Sequence, residues 1–164
     1  MTLPRRFRAA PAPCAAALAL GLGAPATAQG SAPAGCTGPT SNTWINVAVE
    51  GVQSDEGLIA ITLYADDSSK FLAHRGSLYV GRVPAQKGTT RGCIFVPKPG
   101  IYALAIYHDT NANQKFDRTG LGLPAEAYGF SNNPATLAGL PAFRSVRLNI
   151  PKTNLTTYVR LTYP

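Results

Sequence analysis

The chain has almost none of the short motifs that usually carry chemistry. Of its 164 residues only two are histidine and three are cysteine. It contains no Cys-x-x-Cys, no Gly-x-Ser-x-Gly and no His-Glu-x-x-His. Those absences remove the paired-cysteine metal site, the nucleophile elbow and the zinc-protease helix. Charge is sparse, at 14%. The basic residues after Arg8 are scattered from Lys70 to Arg160, with no basic run and no aromatic-interleaved basic stripe, which argues against a nucleic-acid partner. Beyond the first 28 residues no segment approaches the roughly 20 apolar residues that cross a bilayer. No window carries a helical stripe.

What is present begins with an export signal. Arg5, Arg6 and Arg8 precede an apolar stretch clearest from Ala15 to Ala24, and Ala26-Thr27-Ala28 supplies small residues for cleavage. That order predicts a secretory signal peptide over 1–28. Arg5-Arg6 is a slight hint of twin-arginine export. Cys14 lies ahead of the main apolar stretch, the wrong place for a lipid anchor. Removing the leader takes three of the fifteen basic residues and leaves twelve against eight acidic, a net charge of +4 on 136 residues. That length suits one domain with a real core. The expected location is the periplasm or the extracellular space, with an unidentified ligand or an envelope protein as partner and no membrane span. In an oxidising compartment Cys36 and Cys93 are expected to form a disulfide, the alternative being two free thiols. Residues 29–43, rich in Gly, Ser, Ala, Pro and Thr, read as a flexible arm, pinned only if Cys36 pairs. The domain proper is 44–164.

From Trp44 onward the hydrophobic pattern has a period of two. Strands are predicted over 44–52, 57–65, 77–84, 91–96, 100–109, 145–150 and 156–163, separated by Gly, Pro and Asp turns. Seven short strands predict an all-β, Ig-like or transthyretin-like two-sheet sandwich, with a closed lipocalin-like barrel as the other solution. One long interruption, 110–143, is neither low-complexity nor apolar, and is expected to be ordered.

The polar run HDTNANQKFDRTGLGLPAEAYGFSNN, His108 to Asn133, is the richest part of the chain. Asp109, Asn111, Asn113 and Asp117 fall at positions one, three, five and nine of a loop that follows a strand. Oxygen donors at those positions suit calcium, with Lys115 supplying its carbonyl at seven. Position twelve, normally a bidentate Glu, is Gly120 here, and Glu126 could fold back to replace it. The glycine usual at position six is Gln114. Such a site predicts weak affinity, roughly 10⁻⁴ to 10⁻³ M. The competing reading is a metal-free turn in which Asp and Asn side chains accept backbone amides two residues on. His108 and Asp109 are adjacent on a strand and point to opposite faces, so they form no dyad. His108 shares a face with Tyr102, Leu104 and Ile106 and reads as a strand-end histidine. Glu126 with a second carboxylate such as Asp117 would be a glycosidase-like pair. Tyr128, Phe130, Ser131 and Asn132, with His108 nearby, offer aromatic area beside hydrogen-bonding groups, which suits a binding face. Alternatively Tyr128 and Phe130 anchor the loop on the sandwich.

Three segments together resemble a known family. Pro99-Gly100-Ile101-Tyr102-Ala103, then His108-Asp109-x-Asn111-x-Asn113-x-x-x-Asp117, then Gly122-x-Pro124-x-Glu126-x-Tyr128-Gly129-Phe130-Ser131-Asn132-Asn133 are similar to domain-of-unknown-function family 2141. The resemblance runs from about Trp44 to the C-terminus, with departures at Gln114 and Ala125 where the family pattern has glycine and lysine. It implies a bacterial exported protein and no particular activity. The resulting expectation is a non-enzymatic structural or binding protein organised by the 108–133 loop, with possible Ca²⁺. A small hydrolase using Glu126 is the alternative.

Overall fold

The computed structural model describes residues 31–164, so the leader expected over 1–28 lies outside the described part. The strands are β1 (Thr43–Val52), β2 (Leu58–Ala65), β3 (Tyr79–Pro84), β4 (Gly88–Val96), β5 (Gly100–Asp109), β6 (Tyr128–Phe130), β7 (Arg147–Ile150) and β8 (Leu155–Arg160), with one helical turn, α1 (Phe143–Val146). They form two packed sheets rather than a closed barrel. The first has the order β4-β1-β8, and the second β3-β2-β5-β6 with β7 also on β5. Between these strands all pairings are antiparallel except β1 with β8. Among the described residues no helix is long and apolar enough to cross a membrane.

The period-two pattern explains the core. Ile45, Val47 and Val49 of β1 face Ile59, Ile61 and Leu63 of β2 and Leu104 and Ile106 of β5, all essentially fully buried. Each such aliphatic side chain contributes about 1.5–3 kcal/mol on burial. The alternate phase of the second sheet does not meet water. Ala60, Tyr64 and Ala103 are buried there under a second cluster that holds Tyr128, Phe130 and Val146, with Phe71, Phe116 and Phe143 packed against it. A third layer, contributed by 66–76 and 110–146, thus covers the outer face of the larger sheet.

Two expectations change. The long interruption contains an eighth strand, β6, and the segment expected as a strand from Ser145 starts as α1. The arm is also tied down. Cys36 is disulfide-bonded to Cys93. The Thr37 amide donates to the Cys93 carbonyl at 2.9 Å and the Thr37 carbonyl accepts from Phe95 at 3.0 Å. Residues around Thr37 therefore run as a short parallel strip beside β4.

Candidate functional site

Asp109 ends β5 with no exposed surface. Oδ1 accepts the Asn113 amide at 3.0 Å and Oδ2 the Gln114 amide at 2.8 Å. Both bonds require the chain to curl back, which it does through left-handed Ala112 (φ 54°) and Gln114 (φ 64°). Gln114 therefore makes the turn that a glycine would make more cheaply. Asn111 and Asn113 continue the motif, their Oδ1 atoms accepting the Asn113 and Lys115 amides at 3.1 and 2.8 Å. Both side-chain amides then donate to Asp117 Oδ2 at 2.9 Å. Beneath the loop, Gly57 (φ 71°) leaves room for the Asp109 carbonyl, into which a Cβ would collide. From the side, Arg82 Nη2 donates to the Gln114 carbonyl at 3.2 Å.

Glu126 does fold back. Residues 117–126 form a narrow hairpin in which Thr119 N bonds Leu123 O, Gly122 N bonds Thr119 O and Ala125 N bonds Asp117 O. This returns Glu126 Oε2 to the Asp117 amide at 3.0 Å. Glu126 is 8% exposed, and its Oε1 is buried without a hydrogen-bond partner. Burial raises its pKa most, and the Asp117 and Asp109 carboxylates raise it further. The Asp117 and Thr110 amides pull it partly back. Three carboxylates thus approach one another, and among the described residues none of them takes part in an ion pair. Arg118 instead lies over the Phe116 ring at 5.0 Å and donates to the Gly122 carbonyl at 2.8 Å. In this conformation no three His, Cys, Asp or Glu side chains among the described residues meet closely enough to hold a metal. The loop's oxygens are turned to its own amides.

The residues expected to form a binding face divide into two groups. Tyr128 and Phe130 are loop anchors in a chain of ring contacts. Tyr107–Phe116, Phe116–Tyr128, Tyr128–Phe130 and Phe71–Phe130 have centroids 5.4, 6.4, 5.9 and 6.1 Å apart. His108, Ser131 and Asn132 are not brought into that face. His108 is buried on the inner phase of β5, with Nε2 2.8 Å from the Glu56 carbonyl. Ser131 has no exposed surface. Its hydroxyl accepts the Leu104 amide at 3.0 Å and donates a short bond to the Val146 carbonyl. It fills the gap where β6 stops and β7 has not begun along β5. Asn132 and Asn133, both left-handed, complete the seam. Asn132 Nδ2 donates to the Ser145 and Arg147 carbonyls, and Asn133 bonds Tyr158 O and Arg160 N on β8. A seam of this kind is needed because buried backbone groups left without partners are costly.

Sequence reasoning did not identify Phe71, Phe116, Phe143 or Arg82 as parts of this region. They come from separate segments, and only their convergence on one sheet face gives them a role. Neither Asp117 nor Glu126 lines the cavity that the aromatic layer leaves over the second sheet, so the glycosidase-like pair gains no support from geometry.

No curated protein and no solved structure matches the chain. A family model described as an uncharacterized protein conserved in bacteria (DUF2141) matches residues 47–158. That span runs from β1 into β8 and includes the Asp109 loop, the hairpin and the Ser131-Asn132-Asn133 seam. The chain belongs to the DUF2141 family of uncharacterized proteins conserved in bacteria.

Proposed function

We propose that this is an exported, non-enzymatic binding protein whose third layer is held in shape by the 109–126 loop, and that the loop takes a weak Ca²⁺ ion. The observation that carries the calcium reading is Glu126 Oε1, buried and unpartnered beside Asp117 and Asp109. A buried oxygen of a carboxylate calls for a proton, a donor or a cation. The two Asn amides that converge on Asp117 Oδ2 already take a cation's role there. Turning them about χ2 exchanges Nδ2 for Oδ1 and converts two donors into two ligands. Asp109, Asn111, Asn113, the Lys115 carbonyl, Asp117 and Glu126 would then supply six oxygens, enough for calcium. The exchange breaks the two short turns closed on the Asn113 and Lys115 amides, which places affinity in the weak class.

Export is supported by the Arg-rich, apolar, Ala-x-Ala order of residues 5–28 and by the disulfide, both suited to an oxidising compartment. The binding role is supported by the loop's position, with Phe116 and Arg118 lining an aromatic hollow on a β scaffold.

Thermal melting with calcium and with chelator tests the metal. With Kd near 1 mM, about 10 mM calcium stabilises by about 1.4 kcal/mol. The expected rise in Tm is about 5 °C for a domain of this size, with a much smaller rise for magnesium. Coincident curves with and without calcium would dismiss the ion.

A further inference from the structure

The third layer does not close completely over the second sheet. It leaves a cavity of about 220 Å³. Its floor is Thr62 and Ala105, which are cross-strand neighbours on β2 and β5. Tyr107, Phe116, Tyr128 and Phe130 wall it, and Arg118 stands in its lining. A dry cavity of about 150 Å³ accepts benzene, so this one has room for a single aromatic ring with a small polar group. Its lining contains no Asp or Glu, and Arg118 is its one charged residue. Arg118 is exposed, held at one end by the Gly122 carbonyl and supported from below by the Phe116 ring. Those contacts restrain the guanidinium and leave further N–H groups for an acceptor. Leu72 and Leu140 also line it, 38% and 53% exposed. Leu72 sits there in left-handed backbone, φ 56°, a conformation that a bulky side chain seldom adopts.

We infer that this cavity binds a small aromatic carboxylate, its ring lying over Thr62 and Ala105 and bordered by the Tyr107, Phe116, Tyr128 and Phe130 side chains, and its carboxylate on the Arg118 guanidinium. Tyr64, in the same lining, brings a phenol group to the cavity wall that suits a hydroxylated ring. The assignment deepens the binding-protein reading and rests on it; it does not require the calcium ion.

The test is a backbone-amide NMR titration of the full exported chain with para-hydroxybenzoate, para-hydroxybenzamide and glucose, each with calcium and with chelator. The acid is expected to shift the Ala105, Tyr107 and Phe116 amides with Kd of about 1 mM, typical of a ligand of about ten heavy atoms. Arg118→Gln, at an exposed position, should weaken the acid about ten-fold or more and leave the amide probe unchanged. Ala105→Leu fills the floor and should abolish both while the remaining spectrum stays dispersed. An amide that binds as tightly as the acid overturns the carboxylate assignment but leaves the protein a binding protein. Preferential glucose binding overturns the aromatic class. Silence from all three probes up to about 10 mM overturns the site itself. The calcium reading is judged separately, by the melting curves.

Discussion

Asp109→Ala removes the residue on which the loop closes. Its carboxylate accepts two backbone amides, at 3.0 and 2.8 Å, and has no exposed surface. A hydrogen bond to a charged group contributes about 1.5–3 kcal/mol. The Asn113 amide keeps its bond to Asn111 Oδ1, and the freed Gln114 amide belongs to an exposed residue and can turn to water, so each loss falls at the lower end and the sum is about 3 kcal/mol. The two left-handed residues, Ala112 and Gln114, each store about 1–2 kcal/mol that the Asp109 bonds hold in place. Once released, the loop will relax to ordinary backbone, which limits the loss and makes it local as well as global. The described domain has 134 residues and an unfolding entropy near 2.1 cal/mol/K per residue, so about 3 kcal/mol lowers Tm by about 10 °C. Asp109→Asn keeps one acceptor and should lose about half as much. Circular-dichroism melting measures the global part, and limited proteolysis within 110–126 measures the local part. A Tm within about 2 °C of wild type, a shift worth well under 1 kcal/mol, together with unchanged cleavage, would refute the claim that Asp109 organises this loop.

Glu126→Gln tests the buried carboxylate through pH. The folded-state pKa is raised, chiefly by burial, so protonated Glu126 stabilises the fold below the ordinary carboxylate value and that stability is lost as pH rises through the raised value. In chelator, the wild-type Tm minus the Glu126→Gln Tm should therefore fall as pH increases; a flat difference would remove the burial argument. Gln114→Gly relieves a left-handed position and should stabilise by about 1 kcal/mol, a rise in Tm of about 3 °C; lower stability would mean that the Gln side chain matters more than its φ. Cys36→Ser with Cys93→Ser opens a crosslink spanning 57 residues. Loop-closure entropy sets the loss at up to about 4 kcal/mol, read as the urea midpoint with and without reductant.

The sheets were readable because β1, β2 and β5 are long enough to repeat a period of two several times. Ile59, Ile61 and Leu63 announce an inward face before any partner is known. β6 was not readable, since three residues carry no measurable period and its existence depends on Ala105 and Tyr107 across the sheet. The same limit applies to α1, four residues long and without a side-chain cap. His108 was readable by phase alone, as its neighbours Leu104 and Ile106 place it inside. The Asx hydrogen bonds of the Asp109 loop were one of two readings open in the sequence, because Asx side chains act on amides only a few residues away. Local chemistry of this kind survives in sequence.

Ser131 and Asn132 mark where that legibility ends. Hydroxyl and amide side chains beside aromatics fit a ligand and a broken strand edge equally well, and only the gap between β6 and β7 decides for the edge. The cavity, by contrast, had a signal of a different kind. On a half-exposed sheet the outward positions of central strands carry polar side chains. Here the outward phase of β2 reads Ala60, Thr62, Tyr64, and that of β5 reads Ala103, Ala105, Tyr107. Small residues at the centre and large rings at the margins, with Ala60, Thr62 and Ala103 all buried, describe a face with something over it. Phe71, Phe116 and Phe143 supply most of that cover. What they leave open lies above Thr62 and Ala105, the smallest part of the floor, so the place where a ligand fits follows from side-chain size along two strands.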